Sequence, residues 1–544
     1  MPIEQTMLMK REDIKNRFVS MKEACIWASE FLGRSVTIHN IQYLTQYAKI
    51  TKHFGSLIDL GELKNYYEDN IIRKQDNWKS SLGNDVDWGL SFSHLRESDT
   101  TKHVHRLHPY KGKFIPQLVE YFLDEHINTH KKEIFFKSGD TVLDPFAGSG
   151  TTLIQSCELG LNSIGIDISE FNCLISKVKS ENYNFDTLAK ELLFALNKVE
   201  SFSMENFDNQ YELELKEKLS VFNNEYFPSV EFKKKVITNK INERNYASKK
   251  LNLFVEKNRK LLKKDGIRLI AKLQNERIMS GFLAEWFSTR VKQELFYYLS
   301  LIGYVKDEKI KDVMRLILSR TARSCRATTH SDLATLKEPQ IGPYYCNKHQ
   351  KLCIPINNII KHLRGNTYDT IRRLRTFSGL KRITCATILN GDSRTIDIFE
   401  AIKMENPLFY NSLIKKKIDG VFTSPPYVGQ IDYHEQHAYA YELLNINRKD
   451  GFEIGPLSAG KGEKAKNSYV EGISQVFRNV SRFLKDDANL FIVANDKYNL
   501  YPIIAEKSGF KIVNQFKRPV LNRTERDRHP YAEIIFHMKK INSL

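Results

Sequence analysis

Apolar positions repeat at helical intervals near the start of the chain. Ser20 followed by Glu23 has the spacing of a capping box, and Ala24, Trp27, Ala28, Phe31 and Leu32 then recur every three or four residues until Gly33. After the turn Gly33-Arg34-Ser35, Thr37 can cap a second helix with Ile38, Ile41, Leu44 and Tyr47 on one face and Gln42, Gln46 and Lys49 on the other. Two short helices joined by a glycine turn predict a helix-turn-helix, a hairpin that serves either to contact DNA or as plain scaffold. The pattern then loosens, and Ser80-Ser81-Leu82-Gly83-Asn84-Asp85 reads as loop. At Thr141-Val142-Leu143-Asp144 the period changes: a short apolar strand enters a glycine-rich turn and then a helix over 153–159. A second strand, Asn162-Ser163-Ile164-Gly165-Ile166, ends in Asp167. This is a β-α-β unit with an acid closing its second strand. Residues 184–380 show no strand alternation and predict a large helical insertion. The α/β pattern resumes at Ile383-Thr384, runs through Gly420-Val421-Phe422-Thr423 and 488–493, and closes on the alternating Tyr531-Ala532-Glu533-Ile534-Ile535-Phe536.

The pattern divides the chain into four segments: 1–95, a helix-turn-helix unit and linker; 96–183, the first half of an α/β domain; 184–380, the helical insertion; and 381–544, the second half. A length of 544 residues agrees with several compact units. No apolar run approaches the roughly 20 residues of a membrane-spanning helix, so no membrane association is expected. The opening MPIEQTMLMKREDIKNRF lacks the apolar core of a secretory signal, which predicts a cytoplasmic protein. Seven cysteines, sparse and odd in number, predict reduced thiols. The formal charge of +18 adds a candidate partner, since it attracts polyanions and above all nucleic acid, although a basic solvated surface has the same composition.

The glycine turn is the first candidate for chemistry. A strand ending in Asp144 and turning through Gly148 and Gly150 lets backbone approach a ligand, and the helix that follows offers free N–H groups. A phosphate-cradling loop needs Lys after its last glycine, where this chain has Thr151. A dinucleotide fingerprint needs a third glycine, where this chain has Leu153. The whole run Asp144-Pro145-Phe146-Ala147-Gly148-Ser149-Gly150-Thr151-Thr152 resembles the cofactor motif of the DNA amino-methyltransferase family. The resemblance implies S-adenosylmethionine as cofactor, with Asp144, Pro145, Phe146, Gly148, Ser149, Gly150 and Thr151 around its methionine part and Asp167 on its ribose hydroxyls. Upstream, His108-Pro109-Tyr110-Lys111-Gly112-Lys113-Phe114-Ile115-Pro116 is similar to the family's segment that closes over the cofactor, which would put Lys113 and Phe114 near the methionine carboxylate and adenine. Leu389-Asn390-Gly391-Asp392-Ser393-Arg394 looks like the strand-end acid for the adenine amino group, Asp392; an Asx-type turn with no ligand has the same residues.

The second candidate is Thr423-Ser424-Pro425-Pro426-Tyr427, directly after an apolar strand. Two prolines alone could be a rigid strand exit. Beside a cofactor loop they resemble the family's catalytic motif, with Ser424, Pro425, Pro426 and Tyr427 as its residues. An exocyclic amine is a poor nucleophile because its lone pair is conjugated with the ring. If the Ser424 side chain and the Pro425 carbonyl accept its two N–H bonds, nitrogen moves towards a tetrahedral shape and the lone pair is freed. Tyr427 would stack on a base extruded from the duplex. In the family, Ser at the first position goes mostly with cytosine N4, and Asp or Asn mostly with adenine N6, so Ser424 favours cytosine.

The fold class expected is therefore α/β, a Rossmann-like methyltransferase sheet with an N-terminal helix-turn-helix unit and a large helical insertion between the cofactor and catalytic loops, placed as a target-recognition region would be. The partners implied are double-stranded DNA and a cognate restriction endonuclease. Adenine-N6 methylation of DNA is the alternative; methylation of RNA guanine and a catalytically dead DNA-binding regulator are more distant. Arg518-Pro519-Val520-Leu521-Asn522-Arg523, with Arg526 and Arg528, could meet phosphates or form a solvated basic loop. In the insertion Arg320, Arg323, Cys325, Arg326 and His330 precede Cys346, His349 and Cys353. A zinc site there would depart from paired CxxC spacing, so buried thiols and no metal are expected.

Overall fold

The computed structural model describes residues 17–541 apart from 34, 47–48, 54, 84, 93–94, 96, 111, 263–280, 331–337, 341, 357 and 521–530. Arg34 and Tyr47 of the expected hairpin, Asn84 of the loop, Lys111, and Leu521, Asn522, Arg523, Arg526 and Arg528 thus lie outside the described residues. The strands are β1 (Phe18–Val19), β2 (Lys52–His53), β3 (Leu57–Asp59), β4 (Thr141–Asp144), β5 (Asn162–Asp167), β6 (Tyr344–Cys346), β7 (Lys351–Cys353), β8 (Ala386–Asn390), β9 (Ile418–Thr423), β10 (Leu484–Ala494), β11 (Phe510–Pro519) and β12 (Ala532–Lys540). The chain forms two units. One comprises Met1–Asn84, Asp208–Arg268 and Thr328–Pro355; the other comprises Asp85–Phe207, Leu269–Ala327 and Ile356–Leu544. The stretch 184–380, continuous in sequence, is thus shared between them.

In the first unit the capping box forms as its spacing predicts: the Glu23 N–H donates to the Ser20 hydroxyl at 3.3 Å, and the Ser20 N–H donates to the Glu23 carboxylate at 2.8 Å. The helix Met21–Leu32 ends on Gly33, whose φ of 60° is left-handed. A second helix, Ile38–Gln46, buries Ile41 and Leu44 with Ala24, Ala28, Ile58 and Tyr67, and leaves His39, Gln42 and Gln46 exposed. Around this pair lies a small antiparallel sheet of order β1-β3-β2, which the sequence pattern had not indicated. A further core gathers Phe222, Phe232 and Phe254 from the helices Asn209–Tyr226, Ser229–Ile237 and Glu243–Lys257, with Phe227 at the end of the first, and includes Leu352 of the hairpin β6–β7.

The second unit is built on a seven-stranded sheet of order β11-β12-β10-β9-β4-β5-β8, parallel except that β12 runs antiparallel to both neighbours. Side chains alternate across it. Leu143 and Val421 face one core with helices Ile398–Glu405 and Glu463–Ser481, whereas Val142 and Phe422 face another with Leu118 and Phe122 of the helix Pro116–Leu123. From β4 the chain moves outward through β5 to β8 and then returns to the far side of β4 as β9. The carboxyl ends of β4 and β9 therefore flank the switch point of the sheet, the crevice where open α/β sheets take their ligands. All seven cysteines are free thiols. Among the described residues no helix is long and apolar enough to cross a membrane.

Candidate active site

A cavity opens at this switch point, with about 910 Å³ of empty space including its mouth. It is lined by Pro145, Phe146, Gly148, Ser149 and Thr151 of the turn after β4, by Asp167 at the end of β5, by Asp392 after β8, by Lys113 and Phe114 upstream, and by Ser424 and Pro426 after β9. Segments up to 313 residues apart in sequence, from Lys113 to Pro426, thus meet because two strand ends adjoin.

The glycine turn is held from behind. Gly148 N–H donates to Asp167 Oδ2 at 2.8 Å, Ala147 N–H to the Ile166 carbonyl at 3.0 Å, and Ser176 Oγ to the Gly148 carbonyl at 3.1 Å. Gly148 has φ 51°, and a Cβ there would lie 3.1–3.2 Å from the Tyr110 ring and hydroxyl. At Gly150, φ 75°, a Cβ would lie 2.7 Å from Ser176 Oγ; Gly150 faces the helix Glu170–Ser180 and does not line the cavity.

Asp144 does not reach the cavity either, contrary to the expectation that it touches the cofactor. Its carboxylate accepts Thr423 Oγ1 at 2.6 Å, Thr152 Oγ1 at 2.7 Å and the Phe146 N–H at 3.1 Å, so it fastens the end of β9 to the turn after β4. A strand-end acid faces either ligand or neighbouring strand, and sequence spacing cannot tell which. Burial pushes this carboxyl up to about 6, against the two threonine hydroxyls that favour its charged form.

Asp167 borders the cavity, and burial likewise raises it to about 6 despite donors from Ser169 N–H at 2.8 Å, Asn172 Nδ2 at 3.1 Å and Gly148 N–H. For Asp392 burial would raise the pKa, but the Arg394 guanidinium, paired with it at 2.7 Å, reverses this and the carboxyl lies below its ordinary value. Lys113 donates to the His105 carbonyl at 2.5 Å, and burial lowers its ammonium to about 8.

In the second loop Pro425 is buried and Tyr427 turns to the sheet, so neither lines the cavity, whereas Ser424 and Pro426 do. The Tyr427 hydroxyl donates to Glu533 Oε1 at 3.2 Å, and Glu533 is paired with Arg518 at 2.7 Å, both ends buried.

Sequence reasoning missed several lining residues. Ser169 and Asn172 belong to the start of the helix Glu170–Ser180, where Ser169 is the N-cap; the signal was there in a polar cap directly after a strand-end acid. Tyr433, His434, Phe452 and Glu453 come from segments with no periodicity to mark them. Glu453 accepts the His434 N–H at 2.8 Å and is raised by burial to about 7.

The cavity suits a cofactor with both polar and flat apolar parts. Ser149 Oγ and Asn172 Oδ1 are buried on its wall with no partner among the described residues, and a Cβ on Gly148 would narrow the cradle. Phe114, Phe146, Ile168 and Ile454 supply apolar surface. A glycine turn at a switch point, with strand-end acids and neither a phosphate-binding lysine nor a third glycine, defines the methyltransferase class of α/β enzyme.

Comparison with known proteins narrows the class. A family model described as DNA methylase (N6_N4_Mtase) matches residues 7–178. The type II methyltransferase M.MjaII of Methanocaldococcus jannaschii is 49% identical over 531 residues, 96% of this chain and 97% of that protein. Shorter matches are M.BsoBI of Geobacillus stearothermophilus, 35% identical over 17% of each chain, and M2.DpnII of Streptococcus pneumoniae, 37% identical over 21% of this chain and 40% of that one. The chain belongs to the N4/N6 amino-methyltransferase family of DNA methylases, enzymes that use S-adenosylmethionine.

Proposed function

We propose that the enzyme methylates the exocyclic N4 of cytosine in double-stranded DNA. The observation that carries this reading is Ser424, a hydroxyl at the head of the Pro-Pro-Tyr loop, on the cavity wall. S-adenosylmethionine supplies an electrophilic methyl group. Ser424 Oγ would accept a hydrogen bond from the amine and bring nitrogen towards tetrahedral geometry, freeing its lone pair for the methyl group, and the proton that the nitrogen then loses would pass to solvent; Pro425, buried behind the cavity wall, would keep the loop rigid. Tyr427 bounds the loop against which the extruded base stacks. Asp167 accepts from the ribose hydroxyls and Asp392 from the adenine amino group, with Lys113 and Phe114 at the methionine and adenine ends. Gly148, Ser149, Gly150 and Thr151, with Pro145 and Phe146, shape the turn around the methionine part. In this reading Asp144 positions the two loops and touches no ligand.

Residues 1–95 serve as a DNA-contacting unit, whose second helix exposes His39, Gln42 and Gln46, and 184–380 contribute target recognition. The type II label of the M.MjaII relative supports a place in a restriction-modification system with a cognate endonuclease. The test is to methylate DNA in vitro, digest it to nucleosides and identify the product by mass spectrometry. N4-methyldeoxycytidine is expected; N6-methyldeoxyadenosine would transfer the reading to adenine, and no modified base from enzyme shown to bind cofactor would sink both.

A pH dependence follows from Asp167. A charged carboxylate is the better acceptor for hydroxyls, and this one titrates at about 6. Cofactor affinity measured by calorimetry is expected to be flat above about pH 6 and to fall about tenfold per pH unit below it, with the slope gone in Asp167→Asn. For stability the sign is opposite. The folded-state value lies above the ordinary 3.8, so the native protein holds this proton more tightly than the unfolded chain, and the carboxyl costs stability as pH rises between the two values.

A further inference from the structure

We propose that the first unit carries a structural zinc site formed by His330, Cys346, His349 and Cys353. One ligand atom from each of the four lies within 4.8 Å of every other. Cys346 Sγ is 3.8 Å from His330 Nδ1, and Cys353 Sγ is 3.6 Å from His349 Nδ1. Zinc bound at about 2.3 Å to sulfur and about 2.0–2.1 Å to nitrogen has tetrahedral edges of roughly 3.3–3.8 Å, so these pairs already stand at the spacing a bound ion sets. Two thiolates and two imidazoles form a closed structural donor set, and its softness selects zinc over magnesium or calcium.

The local fold explains how these four residues, whose spacing departs from paired CxxC, converge. The hairpin β6–β7 pairs only three residues on each strand, and Cys346 and Cys353 end its two strands. Between them the chain turns tightly, with the Cys346 carbonyl accepting from His349 and Gln350 N–H groups, which folds His349 back over the hairpin. His330 arrives from the preceding chain and is held by Tyr344, whose hydroxyl lies 2.8 Å from His330 Nδ1 and accepts the His330 N–H at 3.2 Å. On metal binding Tyr344 gives up the ring nitrogen and keeps the backbone bond. A two-stranded ribbon this short is marginal alone. Leu352 is anchored by Asn223 and Tyr345 by Glu243, and the metal would fix the remaining corner by joining His330 to the hairpin. The proposal departs from the expectation of no metal. Cys325, the thiol grouped with these residues on sequence grounds, closes the helix Glu308–Ser324 with its sulfur 3.9 Å from the Asn358 carbonyl and belongs to the second unit. The ligand in its place is His330, which spacing rules based on paired cysteines pass over.

The experiment uses the full-length protein, expressed with zinc in the medium and purified under reducing conditions without chelator. Elemental analysis is expected to find about one zinc per chain, retained by Cys385→Ser and lost from Cys346→Ser and Cys353→Ser. Should these variants not fold, His349→Cys keeps a complete donor set and is expected to keep the metal. Cobalt replacement in the wild type gives a second readout: visible absorption of a tetrahedral ion together with thiolate charge transfer. The proposal is overturned if zinc offered to the reduced protein does not survive desalting, if the two serine variants hold as much zinc as the wild type, or if bound cobalt shows no thiolate band.

Discussion

Gly148→Val is expected to weaken S-adenosylmethionine binding by at least about a hundredfold, some 2.7 kcal/mol, with helix content unchanged. Two features of the position act together. Its φ of 51° is a backbone conformation that a β-branched residue adopts only under strain of about 1–3 kcal/mol. A Cβ would also press on Tyr110 at 3.1–3.2 Å, and that ring cannot easily retreat. Its hydroxyl accepts Asn172 Nδ2 at 3.3 Å, and its face lies against Tyr433 with ring centres 5.8 Å apart. The two extra methyl groups of valine must then occupy the cavity or displace the turn that Asp167 holds. Gly148→Ala, with the Cβ alone, should fall between the two proteins. Titration calorimetry gives the affinity and circular dichroism the helix content. A valine variant that binds within twofold of the wild type would place the cofactor elsewhere.

The sequence made the loops legible and left their surroundings obscure, for a physical reason. A glycine turn after a strand, or two prolines after another, is a local event written in consecutive residues, and the structure brings both runs to one crevice. Whether a given side chain faces the ligand is decided by neighbours distant in sequence. Asp144 is turned aside by Thr423, 279 positions later, and Tyr427 by Glu533. Tyr433, at the start of the one-turn helix Tyr433–Gln436, and Glu453 reach the cavity from segments too short to carry a period to read. The same limit governs the insertion. Helical spacing over 184–380 identifies helices without saying what each packs on, so the division of that stretch between two units depends on contacts such as Asn223 with Leu352 that only the folded chain provides. His330 illustrates it once more, since its significance arises from a hairpin that lies beyond it.

Ser424→Ala is expected to slow single-turnover methylation by about a hundredfold while leaving cofactor affinity nearly unchanged. The lost acceptor matters most as the amine becomes tetrahedral, so the effect falls on the transition state rather than on binding. How firmly the loop holds that acceptor depends on the tether behind it: Arg518 fixes Glu533, and Glu533 accepts the Tyr427 hydroxyl. Tyr427→Phe keeps the ring but cuts this tether, and with the loop less firmly held it should lose roughly tenfold in the same single-turnover rate, again without a change in cofactor affinity. The pair of variants therefore separates accepting from orienting. Wild-type single-turnover kinetics in Ser424→Ala would mean that another group orients the amine. A tyrosine-to-phenylalanine loss as large as the serine's would instead assign the phenol a direct role in the transfer.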